Sequence, residues 1–185
     1  MNQLINPFRY IAGTKALVLG IIFIISSALL LYSDGMIQDS YIHLGFANVS
    51  FWQVLLVQFA WWLIPAILLY AGGLLLSSSH IRLIDVLGTT AFSQLLLIPM
   101  IAPMLLPVVK DSLLVVMETI LQGQTLASTN MLAIMLYSMW SMLLLVLFFI
   151  WNYNAFSTSC NVKGWKAVTF YIVVQVVITI AGSMF

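Results

Sequence analysis

The chain has 185 residues, 63% of them hydrophobic and 6% charged, with a net charge of +1 and a mean hydropathy of +1.13. An ordinary soluble domain is nearer half apolar and a quarter charged, and 6 basic with 5 acidic side chains cannot cover the surface that a chain of this size leaves solvated. Hydrocarbon must therefore solvate much of the exterior, which excludes a water-soluble enzyme; the near-neutral balance argues against a nucleic-acid partner or a polybasic lipid anchor. Cys160 is the single cysteine, so an intramolecular disulfide and a thiolate metal site are both excluded, and no cofactor motif is present.

Strict apolar–polar alternation, the mark of a membrane barrel, is absent, and the expected fold is an all-α bundle of five transmembrane helices in one domain, 1–185. A helix needs about 20 apolar residues to cross the hydrocarbon. The first candidate covers about 14–33. Arg9 and Lys15 ahead of it resemble the basic region of a signal peptide, but the apolar run from Ala16 to Tyr32 exceeds the roughly 7–15 residues of a signal core, so a retained span is expected. In it Gly13, Gly20 and Ser27 recur every seven residues, a seam along which helices approach closely. The second span covers 52–76 and holds Gly72-Gly73; the third covers about 86–109. The segment 111–128 is too polar to cross, and its apolar positions Leu113, Val116, Met117, Ile120 and Leu121 have the spacing of a helix lying flat on the membrane. The fourth and fifth spans are 131–151 and about 165–184. Gln58 and Gln175 lie at depth and should hydrogen-bond across helices.

Five crossings place Arg9, Lys15, Arg82, Lys163 and Lys166 with Asp85 at one membrane face, and Lys110 with Asp34, Asp39, Asp111 and Glu118 at the other. The positive-inside rule makes the first face, and the N-terminus, cytoplasmic and the C-terminus external. Tyr41, Trp52 and Tyr137 then fall at the outer interface and Phe8, Tyr10, Trp151, Tyr153 and Trp165 at the inner one.

Three places carry residues able to do chemistry. The turn "SSSHIRLIDV" concentrates His80, Arg82 and Asp85. These could form a proton relay with an anion clamp, or simply a hairpin in which a serine of Ser77–Ser79 caps the next helix and Arg82 pairs with Asp85; the second reading is the stronger. In the outer loop Asp39 and His43 are four apart and would share a helix face, with Asp34 as a third oxygen for a metal; His80 lies across the membrane, and a turn at Asp34-Gly35 explains the stretch as well. In the third span Pro99, Pro103 and Pro107 recur every four residues and preclude a straight helix. They free the carbonyls of Leu95 and Pro99, for which Thr89, Thr90, Ser93 and Gln94 are candidate partners. Such breaks line substrate sites in transporters, and also occur as plain kinks.

The layout, with "NPFRYIAGTKAL" before the first span, "RLIDVLGTTAFSQLLLIP" around the third, Trp140 in "YSMWSMLLLVL" and "NAFSTSCNVKGWKAV" before the last, resembles the Yip family of Ypt/Rab-interacting membrane proteins, in its small prokaryotic form. That resemblance implies five spans, membrane organisation or scaffolding of membrane partners, and a bacterial cytoplasmic membrane. GTPase binding in eukaryotic members is associated with a long cytoplasmic N-terminal region; with Met1–Gly13 alone ahead of the first span, it is not carried over. The expected partners are membrane lipids, other membrane proteins or a second copy. The alternative function is a small-molecule or lipid transporter using the proline-broken span. An enzyme is not expected, because intramembrane chemistry leaves ionisable groups inside spans.

Overall fold

The computed structural model describes residues 5–122 and 131–182. Five helices are long and apolar enough to cross a membrane, and the protein is a multi-pass, all-α membrane bundle. Helix α1 (Gly13–Ser33) follows a short 3-10 turn, Pro7–Arg9. Helix α2 (Phe51–Leu76) opens on a capping box: Gln53 N–H donates to Ser50 Oγ, and Ser50 N–H donates to Gln53 Oε1 at 2.8 Å. Between them Met36–Ile37 (β1) pairs antiparallel with Gly45–Phe46 (β2). The third span, Leu83–Leu105, is segmented into α3 (Leu83–Ser93), a 3-10 turn Gln94–Leu96, α4 (Leu97–Ile101) and a second 3-10 turn Ala102–Leu105. Helices α5 (Pro107–Gln122), α6 (Met131–Ser159) and α7 (Trp165–Gly182) complete the chain. The two ends of the bundle differ. One carries the Pro7–Arg9 turn and the connections 77–82 and 160–164 (the basic end); the other carries the hairpin 34–50 and α5 (the hairpin end).

Three boundaries depart from expectation, and the third span already begins at Leu83 rather than 86. The third span ends at Leu105 rather than 109, because Leu106 is extended (φ −76°, ψ 124°) and Pro107 is the first residue of α5. Proline suits a first helical turn, whose N–H groups have no partner anyway; Pro107 therefore starts a helix and breaks none. Helix α6 continues past 151 to Ser159, because the bundle satisfies its polar residues. Asn152 Nδ2 donates to Phe148 O at 2.9 Å, and Asn154 Nδ2 reaches Ile5 O at 2.8 Å. The part of the flat-lying segment beyond Gln122, and the expected span end at Ser183 and Met184, lie outside the described residues.

The closest crossing joins α1 to α3. A Cβ on Gly20 would overlap the backbone of Ala91 and Phe92, and one on Gly88 would press on the carbonyl of Gly13. Beside it Phe8, Phe92 and Trp151 form an aromatic core, Phe92 and Trp151 stacked at 6.0 Å and both meeting Phe8 edge-on. Phe8 and Trp151 are thus buried, not belt residues; Tyr10, Trp52 and Trp165 remain exposed as a belt requires. Polar side chains at depth zip the helices: Ser27 Oγ donates to Gln58 Oε1 at 2.8 Å, Trp62 Nε1 to Thr90 Oγ1 at 3.2 Å, and Ser93 Oγ to Asn152 Oδ1 at 3.1 Å. Gln175 is likewise buried, beside Tyr41 of the hairpin.

Candidate functional site

A cleft of about 550 Å³ opens at the hairpin end, within the range of small-molecule sites. Four elements build it. The broken third span contributes Met100 and Met104, α5 contributes Leu113, Val116 and Met117, α6 contributes Tyr137, Ser138, Ser141 and Met142, and the hairpin contributes Ile42 to Phe46. The cleft exists because the third span does not run straight here. Pro99 and Pro103 lack N–H groups, the chain tightens into 3-10 geometry at Ala102–Leu105, and Pro107 turns it away into α5.

A carbonyl freed in this way has to find another donor in hydrocarbon. The carbonyl of Pro99, which Pro103 leaves without its helical partner, accepts the indole N–H of Trp140 at 2.8 Å. The expected donors act elsewhere: Thr89 and Thr90 donate to carbonyls of their own helix, Asp85 and Val86 respectively, and Ser93 to Thr90 O and Asn152. Trp140 was legible as a tryptophan in a lipid-facing run, but its pairing over 41 residues was not.

The outer-loop residues separate into two pairs. Asp39 Oδ1 meets His43 Nδ1 at 2.7 Å, across the hairpin loop and not on a helix, with both side chains largely exposed. Asp34 instead pairs with Lys110 Nζ at 3.0 Å, tying the end of α1 to α5. The three-residue constellation Asp34, Asp39, His43 is therefore not assembled, and no group of three His, Cys, Asp or Glu side chains able to hold a metal occurs among the described residues. His43 lines the cleft. Tyr41, from the same loop, is buried in the bundle against Phe148 at 6.0 Å between ring centroids, and burial raises its phenol well above the usual range.

At the basic end, the side chains of His80 and Arg82 are exposed and no ion pair is formed by either among the described residues, while the Arg82 carbonyl accepts the Asp85 N–H at 3.1 Å. Arg82 is the N-cap of α3, so no serine caps that helix; Ser77 ends α2 and accepts the N–H of Ser79 at 3.1 Å. Asp85 turns away from Arg82 toward the start of α1, where a Cβ on Gly13 would stand 3.2 Å from Oδ1. There the carboxylate faces the positive end of the α1 dipole, a better partner than a solvated guanidinium. The structure does not bring His80, Arg82 and Asp85 into a catalytic arrangement. Nearby, Cys160 is fully buried under Gly73, and burial pushes its thiol up to about 12.

No protein-family model, curated protein or solved structure matches the chain.

Proposed function

We propose that the protein is a non-enzymatic membrane protein that organises the bilayer or scaffolds membrane partners, as its resemblance to the small Yip-type proteins implies, with the basic end cytoplasmic. The observation that carries this reading is the disposition of α6. Of their most apolar stretches, 67% is buried in the third span but 11% in the fourth, so α6 presents most of its circumference to whatever surrounds the bundle. The polar groups at depth support the same reading. Ser27, Thr90, Ser93 and Asn152 are engaged in holding helices together, which is a structural use.

The test is a photoreactive residue at Leu143 on α6, compared with one at Val173 on α7, in native membranes; both positions are exposed. Scaffolding gives discrete protein adducts at Leu143 that are absent at Val173. Adducts with lipid alone at both positions overturn the scaffolding of protein partners, and a chemical turnover lost on His80→Ala overturns the non-enzymatic reading as a whole. Accessibility labelling of the two chain ends in intact cells checks the orientation.

A second reading, transport of a small molecule or lipid, is favoured by one observation: the proline-broken segment lines the cleft through Met100 and Met104. It requires that Pro99→Ala with Pro103→Ala abolish flux in vesicles while the bundle still assembles.

A further inference from the structure

The cleft has more sulfur than an apolar packing site calls for. Met100 and Met104, one helical turn apart on the third span, form its floor and are 8% and 5% exposed. Met117 on α5 and Met142 on α6 come from its walls and are 37% and 68% exposed. Met100 and Met104 also belong to the buried core beside Leu97 and Ile101, whereas Met117 and Met142 stand exposed where leucine would serve a lipid-facing wall equally well. Four thioethers from three elements on one concave surface are instead a soft donor set, the kind that selects Cu(I) over zinc, magnesium or calcium.

A nitrogen donor stands on the same surface, oriented as metal-ligating imidazoles are. His43 lines the cleft, and Asp39 Oδ1 holds its Nδ1 at 2.7 Å. A carboxylate on one ring nitrogen fixes the tautomer and leaves Nε2 as the free lone pair, the arrangement in which a carboxylate supports a ligating histidine. The Asp39–His43 contact and the sulfur lining are independent observations, one in the hairpin loop and the other on three helices: His43 lines the cleft, while Asp39, which holds it, lines a separate groove with Trp61 and Ile64.

We propose that this cleft is a binding site for a soft monovalent cation, Cu(I) or its redox-inert analogue Ag(I), held by thioethers drawn from Met100, Met104, Met117 and Met142 with His43 Nε2 as the nitrogen donor. The cleft is wider than an ion. Methionine has three rotatable side-chain bonds, so the walls close on the metal by rotamer changes without backbone movement. Binding is an equilibrium with no redox step, and it stands apart from the scaffold reading, which does not involve the cleft.

The test uses the full chain in nanodiscs and in chloride-free buffer, on a Cys160→Ala background that removes the only thiol. Ag(I) is titrated calorimetrically, and Cu(I) by competition with a chromogenic chelator. The expected result is one ion per chain, with no comparable Zn(II) binding. Met100→Leu with Met104→Leu should weaken Ag(I) at least tenfold, and His43→Ala should weaken it by a smaller factor. Leucine for methionine conserves volume and apolarity, so the double variant should keep its helical circular dichroism and any lipid bound in the cleft. Met135→Leu with Met139→Leu, on α6 outside the cleft lining, is the control and should bind as the parent does. Absence of Ag(I) binding by the folded parent, or equal affinity in the parent and the cleft double variant, overturns the proposal. So does a loss that is as large in the control. Should the double variant fail to fold, Met117→Leu with Met142→Leu, from the exposed walls, carries the same expectation.

Discussion

Toward the basic end, α1 and α3 touch backbone to backbone, with Gly20 against Ala91 and Gly88 against Gly13, and the aromatic trio Phe8, Phe92 and Trp151 closes the space beside them. Toward the hairpin end the same third span is cut by Pro99 and Pro103, passes through two 3-10 turns, and leaves a cleft of about 550 Å³. One span therefore takes part both in the close α1–α3 crossing and in the wall of the cleft. The difference teaches that residue size and backbone donors divide this bundle. Without a hydrophobic drive between helices in lipid, close packing and interhelical hydrogen bonds carry the association. The half with glycines closes and the half with prolines stays open.

The largest expected effect comes from breaking the closed half. Gly20→Leu places a branched side chain where a Cβ alone already overlaps the Ala91 backbone, and backbone cannot swing away as a side-chain tip can. Overpacking of this kind costs about 3 kcal/mol. Cys160, buried at the same end with its thiol held up to about 12 by that burial, is a built-in reporter. Alkylation in micelles should accelerate about a hundredfold, since each 1.4 kcal/mol is a factor of ten in the opening equilibrium. An unchanged alkylation rate would show that this crossing does not hold the closed half together.

The second effect lies in the open half. Trp140→Phe keeps the ring but removes the donor to Pro99 O, leaving a carbonyl that its own helix cannot satisfy. An unsatisfied backbone group costs about 1–2 kcal/mol. The loss should appear as faster amide exchange across α4 and the start of α5 with Cys160 alkylation unaltered; equal acceleration at both sites would mean that the halves open as one.

How much of this division was legible in the sequence follows from the range of each signal. Hydropathy runs, Gly20 and the three prolines act locally, so the five helices, the tight seam and the broken span could be read directly. Pro107 was misjudged because proline at a first helical turn and proline in a kink look alike until the chain's direction is known. The pairing of Arg82 with Asp85 failed for a related reason: a carboxylate follows the nearest strong field, and the α1 N-terminus beside Gly13 becomes near only on folding. The Trp140 to Pro99 bond spans 41 residues and the Lys110 to Asp34 bond 76. Nothing in local spacing announces either one. The cleft was half visible, as Met100 and Met104 one turn apart beside the break; that Met117, Met142 and His43 share it depends on how α5, α6 and the hairpin come together.

The third prediction sharpens the comparison through charge. Lys110 and Asp34, 30% and 10% exposed, tie α5 to the end of α1 and bound the open half. A pair this sheltered is worth more than a fully exposed one yet is offset by desolvation, so Lys110→Gln should cost about 1 kcal/mol. Asp34 keeps one buried oxygen without a partner, so the single variant strands a charge. Adding Asp34→Asn should recover part of the loss, and the double-mutant cycle isolates the coupling. Strict additivity in unfolding measurements would show that the two side chains act independently.

The smallest expected effect is Ser93→Ala, and its worth lies in the contrast with Trp140→Phe, since each removes one hydrogen-bond donor at depth. Ser93 Oγ donates to Thr90 O at 2.6 Å and to Asn152 Oδ1 at 3.1 Å. That single hydroxyl proton is shared between the two acceptors, so one bond is lost: Thr90 O lies in the last turn of α3, where the Gln94 N–H goes to Ala91 O, and Asn152 keeps only the bond that its Nδ2 donates to Phe148 O. The cost should be about 0.6 kcal/mol, typical of a hydrogen bond between membrane helices. The carbonyl of Pro99 has instead lost its helical donor outright to proline. If unfolding in matched micelles gives Ser93→Ala the same penalty as Trp140→Phe, the proline break is no more vulnerable than the closed half, and the contrast between the two fails. A ratio of two or more in favour of Trp140 would place the vulnerability of the bundle at the proline break, beside the cleft.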